Sequence, residues 1–156
     1  MLFDLAEKAL PEMNEVASLD AGGRAHVPLQ VRFSETDAMG VASNGVYLGW
    51  LEVGRIEYLR QIGQDYRNVH AGGIDLVVAE AHVRYLVPLR FDDRFEVICW
   101  CRELRRASFS FAYELRAGDV LHAVASTRHA CVDRARMRPV PLPAWLRDAV
   151  PTPPDA

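Results

Sequence analysis

A carboxylate in a glycine-bearing turn just ahead of a long helix is the feature of this chain best suited to chemistry. Asp37 lies in the run Glu35-Thr36-Asp37-Ala38-Met39-Gly40, and the residues from about Asn44 onward read as the start of a helix. A helix start presents backbone N–H groups with no intrahelical acceptor and a partial positive charge. It can therefore polarise a carbonyl or hold an oxyanion. A carboxylate beside those donors can act on the same carbonyl as general base or nucleophile. The same residue types also make a plain turn, in which Asp37 accepts from N–H groups two or three residues on. Spacing alone is compatible with both.

Other charged residues offer weaker cases. Glu35 alternates with Asp37 and shares its direction if the preceding strand extends that far, but it also reads as a solvated strand end. Glu52 lies one turn from the apolar stripe of the helix and is a secondary carboxylate candidate, although helical glutamates are commonly exposed. Arg105 and Arg106, followed by Ser108, fall between two strands and offer bidentate donors for phosphate, or else form a solvated hairpin tip. Glu80, His82 and Arg84 share one strand face, which reads as a solvent or oligomer face. There is no Walker loop, no G-x-G-x-x-G run and no G-x-S-x-G elbow.

Composition narrows the classes further. With 156 residues, 50% hydrophobic and 25% charged, the chain has the make-up of one globular domain. A net charge of −3 gives no general drive toward nucleic acid or an anionic membrane. No apolar run approaches the roughly 18 residues of a membrane span. The first residues carry Asp4 and Glu7 and no leading basic cluster, so they do not read as a signal peptide, and a cytoplasmic location is expected. Cys99, Cys101 and Cys131 are odd in number and read as small buried hydrophobes rather than a disulfide framework. The five histidines show no H-x-x-x-H spacing, so no zinc site is expected.

The elements that must position these residues follow from periodicity. Residues 1–25 read as an N-terminal extension, residues 26–150 as the main domain and residues 151–156 as a tail. In HVPLQVRFSE, Val27, Leu29, Val31 and Phe33 alternate as on a strand. Ser43 suits an N-cap and Gly63 a C′ position for a helix over about 44–62, with Tyr47, Trp50, Leu51, Gly54 and Tyr58 as its apolar stripe. From Ile74 onward the period changes to two. Val77, Ala79, Ala81, Val83, Tyr85 and Val87 are expected on one face, and four strands with short connections predict an antiparallel meander with a hairpin turn at 117–119. Strand, long helix, then four strands is an α+β order, one sheet covering one central helix.

The stretch VRFSETDAMGVASNGVYLGWLEVGRIEYLR resembles the signature of the 4-hydroxybenzoyl-CoA thioesterase family of the hot-dog superfamily. EAHVRYLVPLRFDDRFEV, RRASFSFAYEL and the segments from ASTRHACVD to RPVPLP are similar to that family in order and spacing, so the resemblance covers about residues 27–145. It implies a hot-dog fold, a curved antiparallel sheet of about five strands around one helix, and hydrolysis of acyl-CoA or acyl-carrier-protein thioesters without metal or cofactor. It also implies a homodimer or homotetramer with sites at the dimer interface. By the same resemblance the catalytic aspartate falls on Asp37 and the carbonyl-polarising backbone amide on Asn44. The CoA phosphate-binding residues fall on Arg105 and Arg106, with Ser108 close behind; Tyr47 is taken as a further substrate contact. Asn44 stands where many members carry His or Tyr, and Val46 where they carry Asn. A non-catalytic acyl-CoA-binding or assembly module is the competing class. A hot-dog hydratase would need His five residues after the aspartate, where this chain has Ala42.

Overall fold

The computed structural model describes residues 18–151; the amphipathic stretch at residues 2–10 and residues 152–156 lie outside the described residues. Strand β1 (Ala25–Gln30) leads through a 3₁₀ turn (Phe33–Glu35) to helix α1 (Val46–Gln61) and short helix α2 (Tyr66–Ala71). Strands β2 (Ile74–Tyr85), β3 (Arg94–Leu104), β4 (Ser108–Ala117) and β5 (Val120–Asp133) follow, with a two-residue β6 (Arg138–Pro139) and helix α3 (Ala144–Ala149). All strands join one antiparallel sheet in the order β1-β3-β4-β5-β2, with β6 on β5. This is the arrangement of one sheet and one long helix that the resemblance implies, with two short helices added. Among the described residues no helix is long and apolar enough to cross a membrane.

Helix α1 buries Tyr47, Trp50, Leu51, Gly54 and Tyr58, as the stripe predicts, together with Leu59. Its end is a Schellman motif: Gly63 takes φ +80°, its N–H donates to the Arg60 carbonyl, and Gln64 N–H donates to the Leu59 carbonyl at 2.8 Å. Its start departs from the expected Ser43 cap. The N-cap is Gly45, which has no side chain to cap with; Ser43 lies two residues earlier, its N–H donating to the Glu35 carbonyl at 2.9 Å and its backbone carbonyl, not its hydroxyl, accepting from Val46 N–H at 3.1 Å.

Three strand expectations are corrected. β1 ends at Gln30, so Phe33 leaves the period-two series and is exposed in the 3₁₀ turn. Only β3, β4 and β5 form a meander. β2 crosses over to the free edge of β5, since β1 already occupies the other edge of β3. A bulge between Val78 and Glu80 then changes which β2 residues face inward. Ile74 and Leu76 are buried ahead of it, Val83 and Tyr85 point toward α1 beyond it, and Val77 is exposed.

Gly54 lets α1 approach the sheet. A Cβ there would lie 2.9 Å from Val97 Cγ1 and 3.5 Å from Cys99 Cβ. Val97 is fully buried and stiff, so the neighbour cannot yield freely. Gly54→Ala is expected to destabilise by about 1–2 kcal/mol, overpacking outweighing the gain in helix propensity. Chemical denaturation of the two proteins checks it.

Candidate active site

The Asp37 turn hangs between two short β-bridges, Thr36 with Ala42 and Val41 with Arg90. Asp37 N–H donates to the Val41 carbonyl, and Gly40, at φ +76°, donates back to the Asp37 carbonyl, both at 2.9 Å. Asp37 Oδ1 accepts from Met39 N–H at 2.8 Å, so one carboxylate oxygen caps the turn. Oδ2 accepts from no described group, and the side chain is exposed. The capping and the chemical readings therefore coexist, one on each oxygen.

Seven residues on, Asn44 N–H likewise donates to no described group, while the Asn44 carbonyl accepts from Tyr85 O–H at 2.8 Å. This leaves a backbone donor open next to the start of α1. An aromatic chain holds it there. Tyr85 meets Tyr47 edge-on at 4.8 Å, Tyr47 packs on Trp50, and Trp50 on Phe95. Tyr47 itself is only 3% exposed and burial raises its hydroxyl pKa, so the ring supports Asn44 and Tyr85 from within the core instead of offering an open contact surface.

Glu35, a weaker carboxylate candidate or solvated strand end by sequence, is 7% exposed. Its carboxylate accepts from Trp50 Nε1 at 2.9 Å and from Arg32 N–H at 2.8 Å, and pairs with the Arg32 guanidinium at 3.3 Å. Burial pushes its pKa up, but these donors outweigh that and hold it below the ordinary carboxylate range. Glu35 thus ties the segment before Asp37 to the first turns of α1. A glutamate two residues before the aspartate gives no local sign of a tryptophan fifteen residues away.

Arg105 and Arg106 lie in the β3–β4 connection, with Ser108 half-buried at the start of β4. The Arg105 guanidinium is engaged by Glu103 at 2.9 Å, whereas the exposed Arg106 side chain has no partner among the described residues. The connection's backbone is pinned by the tail, Leu142 N–H donating to the Arg106 carbonyl at 2.8 Å. β3 starts next to the Asp37 turn and ends at this connection; its 11 residues span roughly 35 Å if fully extended. Asp37 and Arg105–Arg106 therefore sit at opposite ends of the sheet in one chain.

Glu52 is exposed at the rim of a separate cavity of about 290 Å³ between α1, β2 and β4. Glu80, His82 and Arg84 are exposed, and Glu80 and His82 border a larger hollow on the sheet's outer face, where Glu80 pairs with Arg128. Cys99, Cys101 and Cys131 are free and buried.

Residues 31–150 match the family model described as the thioesterase-like superfamily. The chain belongs to that superfamily. It is 35% identical over 126 residues to the 1,4-dihydroxy-2-naphthoyl-CoA hydrolase of Thermosynechococcus vestitus, covering 76% of this chain and 86% of that one. It is 31% identical to the acyl-CoA thioester hydrolase YbgC of Escherichia coli O6:H1, covering 74% and 87%. Among solved structures, the DHNA-CoA thioesterase of Staphylococcus aureus superposes with a TM-score of 0.76 at 26% identity, covering 80% and 85%. In this thioesterase-like chain the open backbone donor of Asn44 sits just before the long helix, and the acidic turn just ahead of it.

The protein also carries a buried histidine. His129 is 2% exposed, stacks on Phe109, and its pKa is pushed down to about 4, by burial first and by the nearby Arg55 charge second. Neutral His129 is common to the folded and unfolded states above pH 6.5. As pH falls, the unfolded chain binds the proton first, so stability is lost between pH 6.5 and about 4. The expected loss is roughly 3 kcal/mol. His129→Val should flatten the melting-temperature profile over that window while leaving other acid-labile contributions in place.

Proposed function

We propose that this protein hydrolyses acyl-CoA thioesters to free acid and CoA, in the manner of the 4-hydroxybenzoyl-CoA thioesterase group it resembles. The observation that carries the reading is the pairing of an unengaged Asp37 Oδ2 with an open Asn44 N–H at the start of α1, in a chain of the thioesterase-like superfamily. The thioester carbonyl oxygen accepts from Asn44 N–H, aided by the helix dipole, as negative charge develops on it. As general base, Asp37 Oδ2 takes a proton from the water that attacks the carbonyl carbon and returns it to the CoA sulfur as the C–S bond breaks, leaving free acid and thiol. As nucleophile, Oδ2 attacks the carbon itself, C–S cleavage expels the CoA thiolate and leaves an acyl–Asp37 anhydride, and water then cleaves the anhydride to free acid and the Asp37 carboxylate, its released proton neutralising the thiolate. Relatives named as acyl-CoA hydrolases support the substrate class; acyl-carrier-protein thioesters are the second class to assay.

Arg105 and Arg106 lie too far from Asp37 along the sheet to serve the same carbonyl within one chain. We assign them to the CoA phosphates of a site completed by a second chain, in a homodimer or larger assembly. The exposed apolar side chains Val77 and Val78 on the edge strand β2 support that pairing. Replacing both arginines by Ala is expected to raise KM severalfold on CoA esters with kcat much less affected, and to remove the salt dependence of KM. Unchanged KM would return them to a solvated hairpin tip.

A steady-state assay with a panel of acyl-CoA esters and a thiol reagent tests the function itself. Turnover supports the hydrolase. The alternative, a non-catalytic acyl-CoA-binding or assembly module, rests on Asp37 Oδ1 already serving as a turn cap, and it prevails if ligands bind and no ester is cleaved.

A further inference from the structure

The cavity beneath Glu52 is lined on its apolar side by Phe109, Phe111, Leu76 and Val78, and on its polar side by Arg55 and His129. The Arg55 guanidinium has no carboxylate within ion-pairing distance among the described residues, and Glu52 at the rim is exposed. Its one described partner is the Tyr113 hydroxyl at 3.4 Å. That hydroxyl is committed onward, to Thr127 Oγ1 at 2.7 Å, and Thr127 to His129 Nε2 at 2.8 Å.

Arg55 can only donate, so the Tyr113 hydroxyl accepts from it, and the direction of the bonds onward to Thr127 and His129 is set by the His129 tautomer. Every member is neutral except Arg55. The chain orients the guanidinium but does not offset its charge, and the remaining guanidinium N–H groups are open to a ligand. A half-buried cation against aromatic and aliphatic walls suits an anion carried on an apolar body.

We propose that this cavity receives the far end of the acyl group and favours acyl chains ending in a carboxylate, with Arg55 as the residue that recognises it. The proposal rests on the thioesterase reading and names its substrate class more finely. Both ends of the acyl path lie on one chain: Tyr85 of β2 bonds Asn44 at the start of α1, and Glu52 and Ile56, one and two turns beyond Leu48 on the same flank of α1, line the cavity with Val78 of β2. From Val46, the first residue of α1, to Arg55 is about 14 Å of helix rise, room for an acyl chain of about six to ten carbons once the reach of the arginine side chain is allowed for.

The test compares CoA monoesters of linear dicarboxylic acids with unsubstituted acyl-CoA esters of the same lengths, in the wild type, Arg55→Met and Arg55→Lys. Melting temperature and solution mass are measured alongside, so that a folding or assembly defect is seen as such. In the wild type the carboxylate-ended ester should have the higher kcat/KM, by at least about tenfold at the best length. Arg55→Met should abolish that preference, lowering kcat/KM on the carboxylate-ended ester at least about tenfold more than on the unsubstituted one, and Arg55→Lys should restore part of it. No preference in the wild type, or equal loss on both esters in Arg55→Met, overturns the proposal. If no CoA ester is cleaved at all, the hydrolase reading fails separately. Calorimetry with octanoate against octanol then decides the pocket: tighter binding of the carboxylate, lost in Arg55→Met, upholds it, and equal binding overturns it.

Discussion

Asp37→Asn is expected to lower kcat by at least about 10²–10⁴, the range that general-base assistance supplies. Asparagine keeps the size of the side chain and an acceptor for Met39 N–H, so the turn bonded through Oδ1 is retained. What is lost is the charge on Oδ2, the oxygen with no described partner. KM and melting temperature should therefore change little, which separates chemistry from folding. Asn44→Ala should cost far less, because the donor is a backbone N–H and Tyr85 bonds the backbone carbonyl, not the side chain. Full activity in Asp37→Asn would reduce Asp37 to a turn cap and make Glu52 the next carboxylate to test.

Glu35→Ala should destabilise the protein by about 2–4 kcal/mol. The substitution strands the Trp50 indole N–H in the core and removes the ion pair with Arg32, and an unpaired buried donor alone costs about 1–3 kcal/mol. Activity should fall as well, since the chain from Glu35 to Ser43 that carries Asp37 is anchored to α1 through this side chain. Glu35→Gln keeps an acceptor for Trp50 and should cost about 1 kcal/mol. The pH dependence distinguishes the two effects. With its folded pKa held below the unfolded value of 4.5, the Glu35 carboxylate contributes stability that is complete above about pH 4.5 and lost as pH falls through the folded pKa. That acid-sensitive component should vanish in Glu35→Gln. Denaturant melts from pH 3 to 7, run on wild type and both variants, measure it directly; indistinguishable profiles would show that the carboxylate contributes nothing.

Local pattern determined a good deal of this protein. The stripe from Tyr47 to Tyr58 is buried as a 3.6-residue period requires, Gly63 ends the helix in the left-handed conformation that glycine tolerates, and the turn at Gly118 closes a hairpin. These are properties of neighbouring residues, so neighbouring residues report them. The run from Glu35 to Gly40 likewise marked the turn at which we propose the chemistry. What the tertiary structure decided depends on residues far apart in the chain. A strand's sequence records which face is apolar but not which strand it pairs with, so β2 reads as part of a meander and joins β5 instead. The bulge after Val78 exchanges its faces, something no alternation count anticipates. Glu35 is polar and close to a turn, yet Trp50 and Arg32 make it a buried anchor, and Arg55 comes to stand in a cavity without an ion-pair partner among the described residues because β2 brings Leu76 and Val78, β4 Phe109 and Phe111, and β5 His129 around it. Burial is a sum over contacts from several elements, and no window along the chain contains that sum.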